Sequence, residues 1–145
     1  MKYNQEKITK LKSEIHKSIA LLDGLKELSL NEFSNDIHKI SSAKYNFIIA
    51  IEGMIDICNH IVSQNNFDTP SDYADAFNIM HKKGAFDEEL LKNLIKASRF
   101  RNRLVHIYWD VDINELYKIL QSDLKDIRSF LKQITDFIEI NSNQK

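Results

Sequence analysis

Apolar residues recur at intervals of three and four along most of this 145-residue chain. In the first stretch, Ile8, Leu11, Ile15, Ile19, Leu22, Leu25 and Leu28 follow that spacing, which predicts an amphipathic helix from about Tyr3 to Leu30. Lys7, Lys10, Glu14 and Lys17 occupy its opposite face. With only three Gly and one Pro, the chain lacks the turn formers that a β-sandwich needs, so the fold class is all-α. A chain of this length makes one domain and buries about 68–70% of its unfolded surface.

The remaining periodicity fills an up-and-down bundle of four to five helices. A second helix is predicted from about Asn31 to Gln64, with Phe33, Ile37, Ile40, Ala43, Phe47, Ile51, Met54, Ile55, Cys58 and Ile61 inward. Its run Phe47-Ile48-Ile49-Ala50-Ile51 is apolar on nearly every face, which suits burial on more than one side, against the core and against a partner. Gly53 sits mid-helix at a cost of about 1 kcal/mol relative to Ala, a sign of close helix approach. Thr69-Pro70-Ser71-Asp72 starts a third helix with a cap and a proline in its first turn, and Tyr73, Phe77 and Met80 form its inner face. Asp87-Glu88-Glu89 opens a fourth that ends near Tyr108. Asp112-Ile113-Asn114-Glu115 is a capping-box variant for a fifth, running to about Phe137. The domain is expected to span residues 1–138, with 139–145 a frayed polar tail.

Composition narrows the setting. A net charge of −1 gives no global attraction to nucleic acid, so any such binding must come from a local basic patch. The N-terminal residues lack an apolar signal region, and the longest uncharged apolar run, Phe47 to Ile51, is far short of a membrane span. The lone cysteine, Cys58, suits a reducing cytoplasm and reads as a buried small hydrophobe. No membrane association and no cofactor are expected.

Chemistry concentrates in Arg99-Phe100-Arg101-Asn102-Arg103-Leu104-Val105-His106-Ile107-Tyr108. On a helix, Arg101 and Tyr108 return to within about 20° of each other, and Asn102 and His106 share a second row about 40° wide. Arg101 and His106 stand about 140° apart, so a long arginine reach, a distorted last turn or a second copy of the chain is needed to join them. A two-fold homodimer would place two arginines and two histidines around one cleft. Imidazole can take a proton from a ribose 2′-hydroxyl or give one to a leaving 5′-oxygen, and guanidinium can hold the scissile phosphate. Arg101 and His106 are therefore the catalytic candidates, Asn102 a positioning residue, and Arg99 and Arg103 the RNA-binding patch. The scheme requires no metal.

Glu52, Asp56 and His60 form a row at four-residue spacing on the second helix. Such a row can ligate a metal. Polar support of the motif helix, with a carboxylate holding Arg101 or orienting His106, is the preferred reading. Tyr73 and His81 are assigned to helix packing and to solvent, respectively, ahead of RNA contact; Trp109 is expected to be buried.

The string Arg101-Asn102-x-Leu104-Val105-His106-x-Tyr108 resembles the Arg-x4-His-x-Tyr signature of the HepT family, HEPN-domain ribonuclease toxins encoded beside MntA-type minimal nucleotidyltransferase antitoxins. Ile55 to Val62, Tyr73 to Phe77 and Val111-Asp112 extend the similarity over roughly residues 5–138. The resemblance implies a HEPN-like homodimer, RNA as substrate, an MntA-type nucleotidyltransferase as partner, and Tyr108 as the hydroxyl that this partner adenylylates to silence the toxin. From the residues alone Tyr108 is equally a core aromatic or a phosphate contact. The alternative function is a non-catalytic HEPN module that docks a nucleotidyltransferase or nucleotide.

Overall fold

Asn4, in extended backbone, accepts the Lys7 N–H at 3.0 Å and starts α1 (Gln5–Lys26). The computed structural model describes residues 1–142, with Tyr108 described in its backbone alone. Ser29 then starts α2 (Leu30–Ser34) with a reciprocal capping box to Glu32, and Asp36 caps α3 (Ile37–Gln64). The predicted second helix is thus divided, because the Asp36 carboxylate draws the His38 and Lys39 N–H groups to itself and restarts the turn.

The start of the third helix shifts as well. Thr69 and Pro70 lie in irregular chain, and it is Asp72 that accepts the Ala74 N–H, opening a 3-10 turn at Tyr73–Asp75 before α4 (Ala76–Lys82). Asp87 caps α5 (Glu88–His106) through the Leu90 N–H at 2.7 Å. A second 3-10 turn (Tyr108–Asp110) leads to α6 (Ile113–Ser122), capped by Asp112, and α7 (Leu124–Ser142) follows. The break between α6 and α7 interrupts an unbroken apolar stripe. Ser122 turns its hydroxyl to the Lys118 carbonyl and the Asp123 carboxylate, an alternative to continued helix that hydrophobic spacing does not register. Helix α7 continues past the expected boundary at residue 138 through Ser142, with Ile138 still buried; residues 143–145 lie outside the described residues.

All described secondary structure is helical, as expected, and α1 and α3 form the most extensive contact. A Cβ added to Gly53 would stand 2.7 Å from Ile15 Cγ1, so the missing side chain is what lets these two helices approach. Helix α3 alone among the described helices is long and apolar enough to cross a membrane, but 67% of that window is buried within the bundle, as befits a core helix. Cys58 is fully buried on it, and burial pushes its thiol well above the ordinary range. Phe47 of α3 meets Phe100 of α5 edge to face, with ring centroids 5.7 Å apart. That contact seats α5 so that the next residue, Arg101, faces the neighbouring turn of α3.

Candidate active site

Arg101 is the anchor of the site. Its Nε and Nη2 donate to Glu52 Oε1 at 3.1 and 2.7 Å, and its Nη1 donates to Asn102 Oδ1 at 3.0 Å. Three of the five guanidinium N–H groups are thereby engaged. One N–H on each Nη is left without a partner among the described residues. The side chain is only 18% exposed, so its charge sits in partly desolvated surroundings where a Coulombic contact is stronger than in water. The ring of Tyr73 lies against the guanidinium, 5.6 Å from Cζ to the ring centroid.

These groups open on a cleft of about 540 Å³ between α5 and the turn that precedes α4. Arg99, Arg101, Asn102 and His106 line one side, and Asp72, Tyr73, Asp75 and Asn78 line the other. His106, exposed, is the last residue of α5; the Ile107 N–H still bonds the Arg103 carbonyl at 2.9 Å, so the final turn is undistorted. Arg101 and His106 both line this cleft, with the arginine held in place by Glu52.

The row on α3 is divided among three tasks. Glu52 holds Arg101, as the preferred reading required. Asp56 accepts the Tyr73 phenol, whose ionisation is pushed far up by burial first and by that carboxylate second. His60 accepts the Asn4 N–H on Nε2 at 2.9 Å and so fastens the N-terminus to the end of α3. Burial, and then Lys7, holds the His60 imidazole below its ordinary range. Protonation would put a hydrogen where the Asn4 N–H already points. Unfolded His60 takes up a proton near its ordinary value of about 6.5, whereas the folded form resists until lower pH, so stability is lost as pH falls below about 7. Urea unfolding at pH 7.5 and pH 5 is expected to show a smaller loss in His60→Gln than in the wild type; an equal loss in both rejects the assignment.

The structure separates the expected arginine patch. Arg103 is committed to the fold: its Nη2 donates to Glu115 Oε2 at 2.8 Å and to the Asp110 carbonyl at 3.3 Å, tying the end of α5 to α6. Glu115, drawn to Arg103 and held below the ordinary carboxylate range by it, does not complete the capping box with Asp112. Arg103 lines an apolar groove of about 320 Å³ that does not include Arg101, Asn102 or His106, so it stands apart from the cleft that the other two arginines share. Arg99 is exposed and borders both spaces. Trp109, expected in the core, is 72% exposed, because the 3-10 turn after His106 carries it off the helix axis. Tyr73, expected to pack within its helix, lines the cleft at 46% exposure; His81, expected to face solvent, donates from Nδ1 to the Phe86 carbonyl at 2.8 Å. The Tyr108 side chain lies outside the described residues.

An all-helical bundle that ends one helix in Arg-x4-His and turns both side chains into one cleft belongs to a recognisable class. The HepT-like ribonuclease family model matches residues 14–134, and the chain belongs to that family. It is similar to the mRNA nuclease HepT of Shewanella oneidensis, 28% identical over 104 residues covering 72% of this chain and 78% of that protein. It is also similar to the tRNA nuclease HepT of Aphanizomenon flos-aquae, 27% identical over 120 residues covering 81% and 82% of the two chains. Among solved structures, the tri-AMPylated HEPN toxin of Shewanella oneidensis in complex with an MNT antitoxin superposes with a TM-score of 0.84 at 24% identity, covering 92% of this chain and 99% of that one. A toxin-antitoxin structure with AMP-PNP gives a TM-score of 0.84 at 23% identity, covering 91% and 99%. At those identities the structural likeness establishes the fold.

Proposed function

We propose that this protein is the endoribonuclease toxin of a toxin-antitoxin pair, cleaving RNA without a metal at a site built across a homodimer. One observation carries the reading: Arg101, oriented by Glu52 and Asn102 with N–H groups to spare, shares a cleft with the exposed His106. An imidazole removes the proton of a ribose 2′-hydroxyl, the 2′-oxygen attacks phosphorus, and the bond to the 5′-oxygen breaks as that oxygen takes up a proton from a second imidazole. The products are a 2′,3′-cyclic phosphate and a 5′-hydroxyl. The guanidinium stabilises the negative charge that grows on the non-bridging oxygens.

Two histidines call for two copies. Exposed apolar side chains stand on the two elements that carry the site: Tyr45 lies two turns before Glu52 on α3, and Val105, Ile107 and Trp109 surround His106 in the chain. Large exposed apolar patches mark interaction sites, and a two-fold pairing on this one supplies the second imidazole. Tyr45, 63% exposed, is a suitable probe. Tyr45→Asp is expected to be monomeric by analytical ultracentrifugation and to lose cleavage, while its helix content stays at the wild-type level.

The partner is read as an MntA-type minimal nucleotidyltransferase that silences the toxin by adenylylating Tyr108, two residues past His106. The added phosphate and nucleoside would fill the anion site with a covalent anion. Incubating the protein with total RNA in excess chelator tests the nuclease reading. Fragments ending in 2′,3′-cyclic phosphate are expected, and an oligonucleotide with 2′-deoxyribose at every position should remain intact. Cleavage that needs a divalent metal, or that proceeds on the deoxy substrate, would overturn this mechanism.

A further inference from the structure

The nuclease reading uses one wall of the cleft and leaves the other without a role. We propose that the facing wall, built on Tyr73, is a nucleobase subsite that takes a base bearing an exocyclic amino group, so that the enzyme discriminates against uracil. The inference rests on the ribonuclease reading and adds to it the class of nucleotide seated beside the scissile phosphate.

The Tyr73 ring is held on two sides. Its hydroxyl donates to Asp56 on α3, and the Arg101 guanidinium lies 5.6 Å from its centroid. A ring fixed at its hydroxyl and backed by a cation cannot swing away, yet it is still 46% exposed. A rigid aromatic group standing in a polar cleft beside a phosphate-binding arginine is the arrangement on which an unstacked base settles. The cleft, at about 540 Å³, has the capacity of a small-ligand site and spans the distance from the guanidinium to this ring.

The groups beside Tyr73 determine which bases fit. Asp72 spends one carboxylate oxygen on the Ala74 N–H at 3.0 Å, leaving its other oxygen as an acceptor among the described residues. Asn78 donates its Nδ2 to Asp75 at 3.1 Å, which fixes the amide so that its oxygen is the atom left to accept. Asp75 is already occupied by the Ser71 N–H at 3.0 Å and by Asn78. This edge therefore offers acceptors. Adenine, cytosine and guanine each present an exocyclic amine with two N–H donors to such an edge, whereas uracil offers a single N3–H flanked by two carbonyl oxygens that a carboxylate repels.

Steady-state cleavage of short oligo(A), oligo(C) and oligo(U), with kcat and KM resolved, tests the proposal. The wild type is expected to show a KM for oligo(U) about tenfold or more above those for oligo(A) and oligo(C). Tyr73→Ala should raise KM on all three by about tenfold, the size of a lost base stack, and Tyr73→Phe, which keeps the ring, should restore most of it. Asp72→Asn, an exposed change that leaves the core intact, should narrow the gap between oligo(U) and the other two. Equal KM values across the three oligomers in the wild type would overturn the subsite, as would a Tyr73→Ala variant whose loss lies wholly in kcat. If the wild type cleaves no RNA, the ribonuclease reading fails and this inference falls with it. Cleavage without base preference removes this inference alone.

Discussion

His106→Ala is expected to reduce RNA cleavage by roughly two to four orders of magnitude, the usual contribution of a positioned general acid or base. Helix content and melting temperature should stay at the wild-type level. The second half of that expectation follows from placement. His106 is exposed at the last position of α5, it makes no hydrogen bond among the described residues, and the turn beneath it is closed by the Ile107 N–H on the Arg103 carbonyl. Exposed substitutions away from such structural features change stability by no more than about 0.5 kcal/mol. A loss of activity with the fold intact therefore assigns the imidazole to chemistry. Full cleavage by the variant would remove His106 from the mechanism.

Arg101→Lys should be nearly as damaging, by about two to three orders of magnitude in kcat, although it keeps the positive charge. The reason is the fork. Arginine satisfies Glu52 with Nε and Nη2 and Asn102 with Nη1, and still carries N–H groups on both Nη atoms for a phosphate. A lysine ammonium is a single point. Drawn to Glu52, it cannot also present two divergent donors to a phosphoryl group. Arg101→Ala is a less clean probe, because it strands the Glu52 carboxylate, only 31% exposed, and mixes a stability loss of about 1–3 kcal/mol into the readout. The check is single-turnover cleavage beside thermal unfolding for both variants. A lysine variant with wild-type kcat would show that charge alone suffices and that the fork geometry is idle.

Both expectations concern residues that stand together in the sequence, and that is why they could be chosen from it. The Arg-x4-His spacing and the density of polar groups near a helix end are properties of a single element. The row of Glu52, Asp56 and His60 was equally visible, but its meaning was not. Glu52 meets Arg101 across 49 positions of chain, Asp56 meets Tyr73 across 17, and His60 meets Asn4 across 56. Nothing in the row itself says which partner each will find.

The misplacements have the same origin. Arg103 differs from Arg101 by two positions, about 200° around the helix, which sends it to Glu115 on α6 and away from the cleft. Tyr73 fits a helix-packing pattern, but a 3-10 turn begins at that residue and swings its ring into the site. Trp109 has the hydrophobicity of a core residue and an exposed position, since α5 ends three residues earlier.

By itself the sequence determined the all-helical class, the main helical segments, the close approach at Gly53, and the element that carries the candidate site, because hydrophobic period, caps and local motif are written in near neighbours. The tertiary structure decided which acid holds which base, where two of the helices break, and what stands opposite the arginine. Those depend on how helices pack side by side, and packing joins residues that share no spacing along the chain.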